Sequence, residues 1–229
     1  MLKSQTWAIT GLVLLCITLI VLPACGATTK TAPTATPPIS TFTPNTSSKS
    51  VNGLVLSLSL NSTTFQPGQE VSVVIDEQNT LPTENNVSAS NSWPLDGLSV
   101  GQSCEDFNYP IGVAISQGYY ASSNVSSATP LQLYNPGNVT SCGAMPAVST
   151  YSFAPLSDTA NVWCIGPGFN SNPCLTDFKV SSEITVTGYW NWTHGQEPTL
   201  GNFTPGVYTV VGGDEWGALA VLHFIVQGN

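Results

Sequence analysis

The sequence of 229 residues contains no arginine and only four lysines, and its charged fraction is 7%. All thirteen acidic residues lie after position 50, and Lys179 is the one lysine in that part of the chain. Proteins that bind nucleic acid or nucleotide phosphates need Lys and Arg to neutralise the phosphate charge. The composition therefore argues against a nucleic-acid partner, and it also argues against electrostatic docking of the domain on anionic lipid.

Helical periodicity is also lacking after position 50, whereas apolar residues alternate with period two at many places. Such alternation is typical of strands with one buried face. We expect strands at 54–60, 70–76, 111–120, 131–134, 148–153, 178–186, 207–211 and 218–226. Around them we expect a short helical turn at 155–161 and long loop excursions at 81–110 and 135–146. The pattern predicts an all-β domain at 51–229, built as an antiparallel β-sandwich.

Two segments introduce a strand with a Pro-Gly turn, STTFQPGQEVSVVI at 62–75 and FTPGVYTVVGGDEWGALAVLHFIV at 203–226. They resemble the opening and closing strands of immunoglobulin-like domains on prokaryotic surface proteins, and they are loosely similar to the sandwich of the BsuPI proteinase-inhibitor family. The resemblance implies an immunoglobulin-like sandwich, and no functional residue carries over from it.

The first 24 residues are typical of a secretory signal, with Lys3, an apolar run at 7–22 and small residues at the end. Leu22-Pro23-Ala24-Cys25 resembles the lipobox of prokaryotic lipoproteins, in which the Cys sulfur receives a diacylglycerol and the signal is cut before it. The resemblance implies a signal peptide at 1–24 and a lipid on Cys25, which holds the protein outside the cytoplasm on a membrane. The alternative is an uncleaved signal anchor.

Residues 25–50 are mostly Thr, Ser, Pro and Ala, with almost no large apolar side chain. Such a composition cannot bury enough apolar surface to offset the entropy of ordering. We interpret 25–50 as a disordered stalk, partly in polyproline II conformation, between the lipid and the domain.

Four cysteines remain in the domain, namely Cys104, Cys142, Cys164 and Cys174. An even number in an exported chain favours disulfides, and four cysteines allow three pairings. We favour Cys104–Cys142 and Cys164–Cys174, because the second pair closes a short loop at 165–173 that is rich in Gly, Pro and Asn. A zinc site with four Cys ligands is the alternative, although the sequence has no C-x-x-C pair.

Residues 97–101 match G-x-S-x-G around Ser99, the pattern of a hydrolase nucleophile. That pattern requires a strand before the serine and a helix after it, and neither is predicted here. His194 and His223 lack the neighbouring Cys of a copper site, and His223 fits a structural strand residue. We therefore expect no enzyme, cofactor or metal, with a serine hydrolase at Ser99 as the alternative.

Acidic doublets occur at 76–77, 105–106 and 214–215. Calcium needs six or more oxygens that converge from loops, and the EF-hand spacing is absent. We favour ordinary solvated turn residues over a structural calcium site at these doublets.

Tyr189, Trp190 and Trp192 are the candidate ligand-binding residues. Trp190 and Trp192 share the phase of the preceding strand across Gly188, so a continuous strand would place both in the core, which is the interpretation we favour. A bulge at Gly188 would instead expose them, with Tyr189, as an aromatic platform for stacking on sugars.

The sequence thus predicts a lipid-anchored, extracytoplasmic binding or interaction module of the cell envelope, without catalysis. Its partner would be an envelope protein or a glycan. The alternatives are a carbohydrate-binding module that uses Trp190 and Trp192, and an inhibitor of an extracellular protease.

Overall fold

The computed structural model describes residues 46–90, 92–98, 109–138, 147–166, 173–193 and 195–228. Within them the chain is all-β, and the helical geometry is limited to 3₁₀ turns at Val125–Ser127 and Pro136–Asn138. No helix of this part of the chain is long and apolar enough to cross a membrane. The strands, in chain order, are β1 (Thr46–Val51), β2 (Leu54–Leu60), β3 (Thr64–Phe65), β4 (Val71–Asn79), β5 (Asn85–Ser88), β6 (Ile111–Gln117), β7 (Ala147–Phe153), β8 (Thr159–Ile165), β9 (Pro173–Lys179), β10 (Ser181–Val186), β11 (Gly188–Asn191), β12 (Thr199–Asn202), β13 (Gly206–Asp214) and β14 (Leu219–Val226).

Two four-stranded sheets form the sandwich. Sheet A has the order β1-β2-β4-β10 and sheet B the order β3-β14-β13-β6. Neighbouring strands are antiparallel except β3 and β14, which run parallel. If β2, β4 and β10 are taken as strands A, B and E, and β6, β13 and β14 as C, F and G, the arrangement is that of an immunoglobulin-like domain. The predicted antiparallel β-sandwich is therefore confirmed.

The alternation in sequence explains how the two sheets face each other. In β2 and β4 every second residue is buried, beginning at Leu54 and Val71. Gly212 of β13 lies opposite this face, where an added Cβ would be 3.0 Å from Leu58 Cδ1 and 3.1 Å from Ile75 Cδ1. The missing side chain of Gly212 thus lets sheet A pack closely on sheet B.

A third sheet, sheet C, has the order β5-β7-β8-β9 and comes from the connections between the sandwich strands. Its inner face adds Tyr151, Phe153 and Val162 to the same core cluster as the sandwich. Trp216, in the turn between β13 and β14, packs edge-on against Tyr151 and Phe153, and its Nε1 donates to the Ser88 carbonyl oxygen (2.8 Å). This tryptophan therefore joins sheet B to sheet C.

The outer face of sheet B is also covered. Leu95 and Val125 come from two excursions of the chain and are buried against Ala114 of β6 and Val211 of β13. The connections thus form a second, smaller apolar cluster on this side of the sandwich.

Tyr208 closes one end of the sandwich near the start of β13. Its hydroxyl donates to the Thr204 carbonyl oxygen (2.9 Å), and its ring stacks on Phe224 with centroids 5.0 Å apart. A tyrosine bonded to the backbone a few residues upstream, at the start of strand F, is a feature of immunoglobulin-like sandwiches.

Several predicted elements need correction. Residues 131–134 form no strand, and 155–161 is a turn followed by the start of β8 instead of a helical turn. The strand predicted at 178–186 is divided at Val180, whose N–H donates to the Asp158 carbonyl oxygen (2.8 Å) while its own carbonyl accepts from Glu77 N (2.9 Å). In addition, β1 begins at Thr46, inside the segment assigned to the stalk. The signal peptide, Cys25 and the stalk up to residue 45 lie outside the described residues.

Candidate binding surface

The candidate aromatic residues lie on a two-stranded hairpin that follows sheet A. β10 ends at Val186, and β11 begins at Gly188 and pairs with β12 instead of continuing sheet A. A Cβ on Gly188 would lie 1.9 Å from the Gly201 carbonyl oxygen, so only glycine permits the two strands to approach this closely. The chain therefore leaves sheet A at Gly188, the residue at which the sequence allowed a bulge.

Three large apolar residues, Trp190, Trp192 and Leu200, lie on this hairpin or directly beside its strands, and we call them the hairpin patch. Trp190 and Leu200 are directly opposite in the antiparallel pair, so their side chains share one face of the hairpin. Trp190 is half-buried, Leu200 is 51% exposed, and Trp192, one residue past the end of β11, is 54% exposed. The interpretation that both tryptophans are core residues is therefore wrong.

Tyr189 points to the opposite side. It packs against the main core, and its ring centroid is 6.0 Å from that of Phe203. The alternation of side chains along β11 explains this arrangement, because neighbouring residues face opposite sides of a strand. The alternative, an exposed platform of three aromatics, therefore also needs correction, because the apolar residues on the other side are two tryptophans and a leucine.

The segment between β6 and β7 supports the hairpin. The Trp190 N–H donates to the Gln132 carbonyl oxygen (2.7 Å). Just before β12, Pro198 lies close to the same segment, since a Cβ on Gly137 would be 3.5 Å from Pro198 Cγ. These contacts hold the backbone beneath the patch, which is the condition for a binding surface that exists before its partner arrives.

Trp163 is an exposed aromatic residue that was not predicted from the sequence. It is 36% exposed on β8, and its Nε1 donates to Ser152 Oγ (3.2 Å), which in turn donates to Asn86 Oδ1. Ile165, two residues further on the same strand, is 65% exposed. The period-two alternation of buried Ala160, Val162 and Cys164 was the signal that could have found β8 and hence Trp163.

The predicted disulfide between Cys164 and Cys174 is present, with the two Cα atoms 5.6 Å apart. It joins β8 to β9 beside the loop at 165–173, which is the short loop that favoured this pairing. The predicted Cys104–Cys142 pair lies outside the described residues.

Ser99 and His194 also lie outside the described residues, and 92–98, which precede Ser99, form turns without a strand. His223 stacks on the exposed Tyr119 with ring centroids 4.1 Å apart, and its Nε2 lies 3.0 Å from the Tyr120 carbonyl oxygen. Burial lowers the pKa of His223, against an opposing effect of that backbone contact. These contacts agree with the structural role predicted for this histidine.

Two of the three acidic doublets meet at the end of the sandwich. Glu77, Asp214 and Glu215 are all buried there, while Asp76 is partly exposed on the other face of β4. The expectation of ordinary solvated turn residues is therefore wrong for these three side chains. In the part of the chain that the structure describes, no group of three or more His, Cys, Asp or Glu side chains is arranged to hold a metal. The doublet at 105–106 lies outside the described residues.

No protein-family model, no curated protein and no solved structure matches the chain.

Proposed function

We propose that this protein is a lipid-anchored, extracytoplasmic binding module of the cell envelope, that it acts without catalysis, and that it contacts its partner through the hairpin patch. The observation that carries the proposal is the exposure of Trp192 and Leu200, each more than half accessible on the hairpin that also carries Trp190. Large apolar side chains grouped at a surface mark interaction sites, and tryptophan is enriched among the residues that dominate binding energy. The resemblance of Leu22-Pro23-Ala24-Cys25 to a lipobox supports an envelope location for this surface.

A neutral glycan is the partner that the patch favours, which makes carbohydrate binding the second candidate function. Indole rings offer flat apolar faces on which sugar rings stack, and Trp190 and Trp192 supply two of them. The formal net charge of −9 disfavours anionic glycans, because like charges repel at the approach. An envelope protein with an apolar surface is the other partner that fits the same patch.

The test compares variants of the full-length protein extracted from membranes, whose intact mass should show a diacylglyceryl group on Cys25. Trp192→Ser and Leu200→Ser should each weaken binding by about thirtyfold, since buried aromatic and apolar anchors contribute about 2 kcal/mol or more. Binding is measured on an array of neutral glycans and by cross-linking in the native envelope. Binding to a glycan on the array supports the carbohydrate function. A cross-link to an envelope protein that is absent in both variants supports a protein partner.

Ile165→Ser is the matched control, because Ile165 is an apolar residue on a different sheet and is exposed at least as much as Trp192 and Leu200. It should leave binding unchanged. Retained binding in both hairpin variants, or a loss in Ile165→Ser, would contradict the assignment of the patch. A panel of proteases tests the inhibitor function. If the protein inhibits a protease and both hairpin variants still inhibit it, the inhibitor function is favoured instead.

A further inference from the structure

Two acidic side chains face each other inside the sandwich. Glu77 is fully buried and lies on the inward face of β4, two residues after Ile75. Asp214 is also fully buried and lies two residues after Gly212, which is the residue that contacts Ile75 across the interior. The same step along both strands therefore brings the two carboxyl groups together, close enough for their charges to interact.

The hydrogen bonds of the pair are incomplete. Asp214 Oδ1 accepts from Trp216 N (2.9 Å) and Ala218 N (2.7 Å), whereas Asp214 Oδ2 and both oxygens of Glu77 have no partner among the described residues. Asn79, equally buried and two residues further along β4, has its side-chain amide in three hydrogen bonds. Glu77 is thus the exception on a strand whose other buried polar group is satisfied. An ionised carboxylate without partners in this place would cost several kcal/mol.

The groups around the pair supply no positive charge. Glu215 follows Asp214, and its carboxylate accepts from Ser90 N (2.9 Å) and hydrogen-bonds to Tyr151 of sheet C. Asp76 interacts with Glu77 from the other face of β4 and is itself near the ion pair of Asp158 with the exposed Lys179 (2.9 Å).

The other cations of the described residues do not offset the burial of the pair. Lys49 lies two strands from Glu77 in the same register, across Leu56, but its side chain is exposed, and no cation acts on the pKa of Glu77. His223 faces Tyr119 on the outer side of sheet B. The charge of the pair is therefore left without a neutralising base.

Because no base neutralises the charge of Glu77, its carboxyl group becomes neutral by binding a proton. Burial, together with the charges of Asp214 and Asp76, raises the pKa of Glu77 to about 9. Burial also raises the pKa of Asp214, but backbone N–H groups of Ala218, Trp216 and Gly217 act in the opposite direction. These donors favour the charged form of Asp214, so the proton belongs on Glu77.

We propose that Glu77 and Asp214 share one proton inside the sandwich, carried by Glu77, and that this pair makes the folded protein more stable in acidic than in neutral or alkaline surroundings. The folded state then keeps a proton that the unfolded chain releases above the ordinary glutamate pKa of 4.5. The stabilisation is fully present below pH 4.5 and is lost as the pH rises through the folded pKa of about 9. The inference goes beyond the proposed binding function, because it concerns the pH at which the module is most stable.

The test is chemical denaturation of the full-length protein at pH values from 4 to 9. From this one group, the unfolding equilibrium constant of the wild type should rise by about tenfold per pH unit between the two pKa values. Glu77→Gln keeps the shape but cannot ionise, so this part of the pH dependence should disappear. Glu197→Gln, which changes an exposed carboxyl group, should retain the wild-type slope.

A measurement on the wild type covers the case in which Glu77→Gln does not fold. NMR of the Glu77 carboxyl carbon should show the protonated form at pH 7. An ionised Glu77 at that pH would overturn the proposal, and so would an unchanged slope in a folded Glu77→Gln. A calcium-dependent rise of the denaturation midpoint that is absent in Glu77→Gln would also overturn it, because the pair would then hold a cation instead of a proton.

Discussion

Single side chains fix the ends of this sandwich, and Tyr208 is the clearest case. Its ring stacks on Phe224 and contacts Phe203 at a centroid distance of 5.0 Å, so the apolar part fills the interior. Its hydroxyl reaches the loop before β13 at Thr204, by the carbonyl oxygen and by Oγ1 (3.1 Å). One residue thus joins the core to the loop that leads into β13.

Tyr208→Phe should separate these two roles, because it keeps the ring and removes the hydroxyl. We expect the free energy of unfolding to fall by about 1 kcal/mol, the net value of an ordinary hydrogen bond. Denaturant titration measures the change. Tyr119→Phe, at a ring that is 54% exposed, is the control and should leave the midpoint in place. Equal midpoints for both variants would show that the Tyr208 hydroxyl adds nothing to stability.

At the level of elements, the β11–β12 hairpin depends on the close approach at Gly188. Gly188→Ala places a methyl group 1.9 Å from the Gly201 carbonyl oxygen, so the two strands must separate. Overpacking of this kind costs about 1–3 kcal/mol. We expect lower stability and loss of binding by the hairpin patch, measured by thermal melting and by the binding assay described above.

Gly228→Ala provides the comparison for that experiment. Its Cβ would lie 3.8 Å from Pro205 Cβ, an ordinary contact, so neither stability nor binding should change. A Gly188→Ala variant with the wild-type melting temperature would contradict the close approach of the two strands.

Strands with regular alternation were predictable from the sequence, whereas irregular strands and changes from one sheet to another were not. β2, β4 and β14 bury every second residue, which is the signal that period-two analysis detects. β9 begins at a proline, pairs through register shifts and buries no regular set of residues, so no such signal exists. Period-two analysis also extended the alternation of β10 past Gly188 to Trp190 and Trp192. It cannot detect that the chain leaves one sheet and begins a strand in another. The sequence therefore singled out Trp190 and Trp192, but the favoured interpretation did not predict that Trp192 is exposed.

Over the whole molecule, the scarcity of bases has a consequence for acid unfolding. Proteins unfold in acid partly because unneutralised positive charges repel each other. Here the four lysines and two histidines allow at most six positive side chains among 229 residues. His223 opposes acid stability modestly, because burial lowers its pKa and stability is lost as the pH falls through that value. Repulsion on the scale that unfolds base-rich proteins is nevertheless excluded.

We therefore expect the protein to keep its fold at pH 3. The near-ultraviolet circular dichroism and a cooperative melting transition should both persist there, since they report fixed tertiary packing. This expectation rests on total charge and holds for Glu77→Gln as well, so it is independent of the buried proton. Loss of the near-ultraviolet signal at pH 3, with binding of a hydrophobic dye, would contradict it.

The parallel pair of β3 and β14 sets the order in which the chain can be completed. Gln66 Nε2 donates to Gln227 Oε1 (2.7 Å), a contact between residues 161 positions apart. A chain that emerges from the ribosome or a translocation pore with its N-terminus first has no partner for β3 until its last strand arrives. Closure of so long a loop is slow, because its entropy must be lost before the contact forms. β3 consequently joins sheet B only after the residues of β14 have been made.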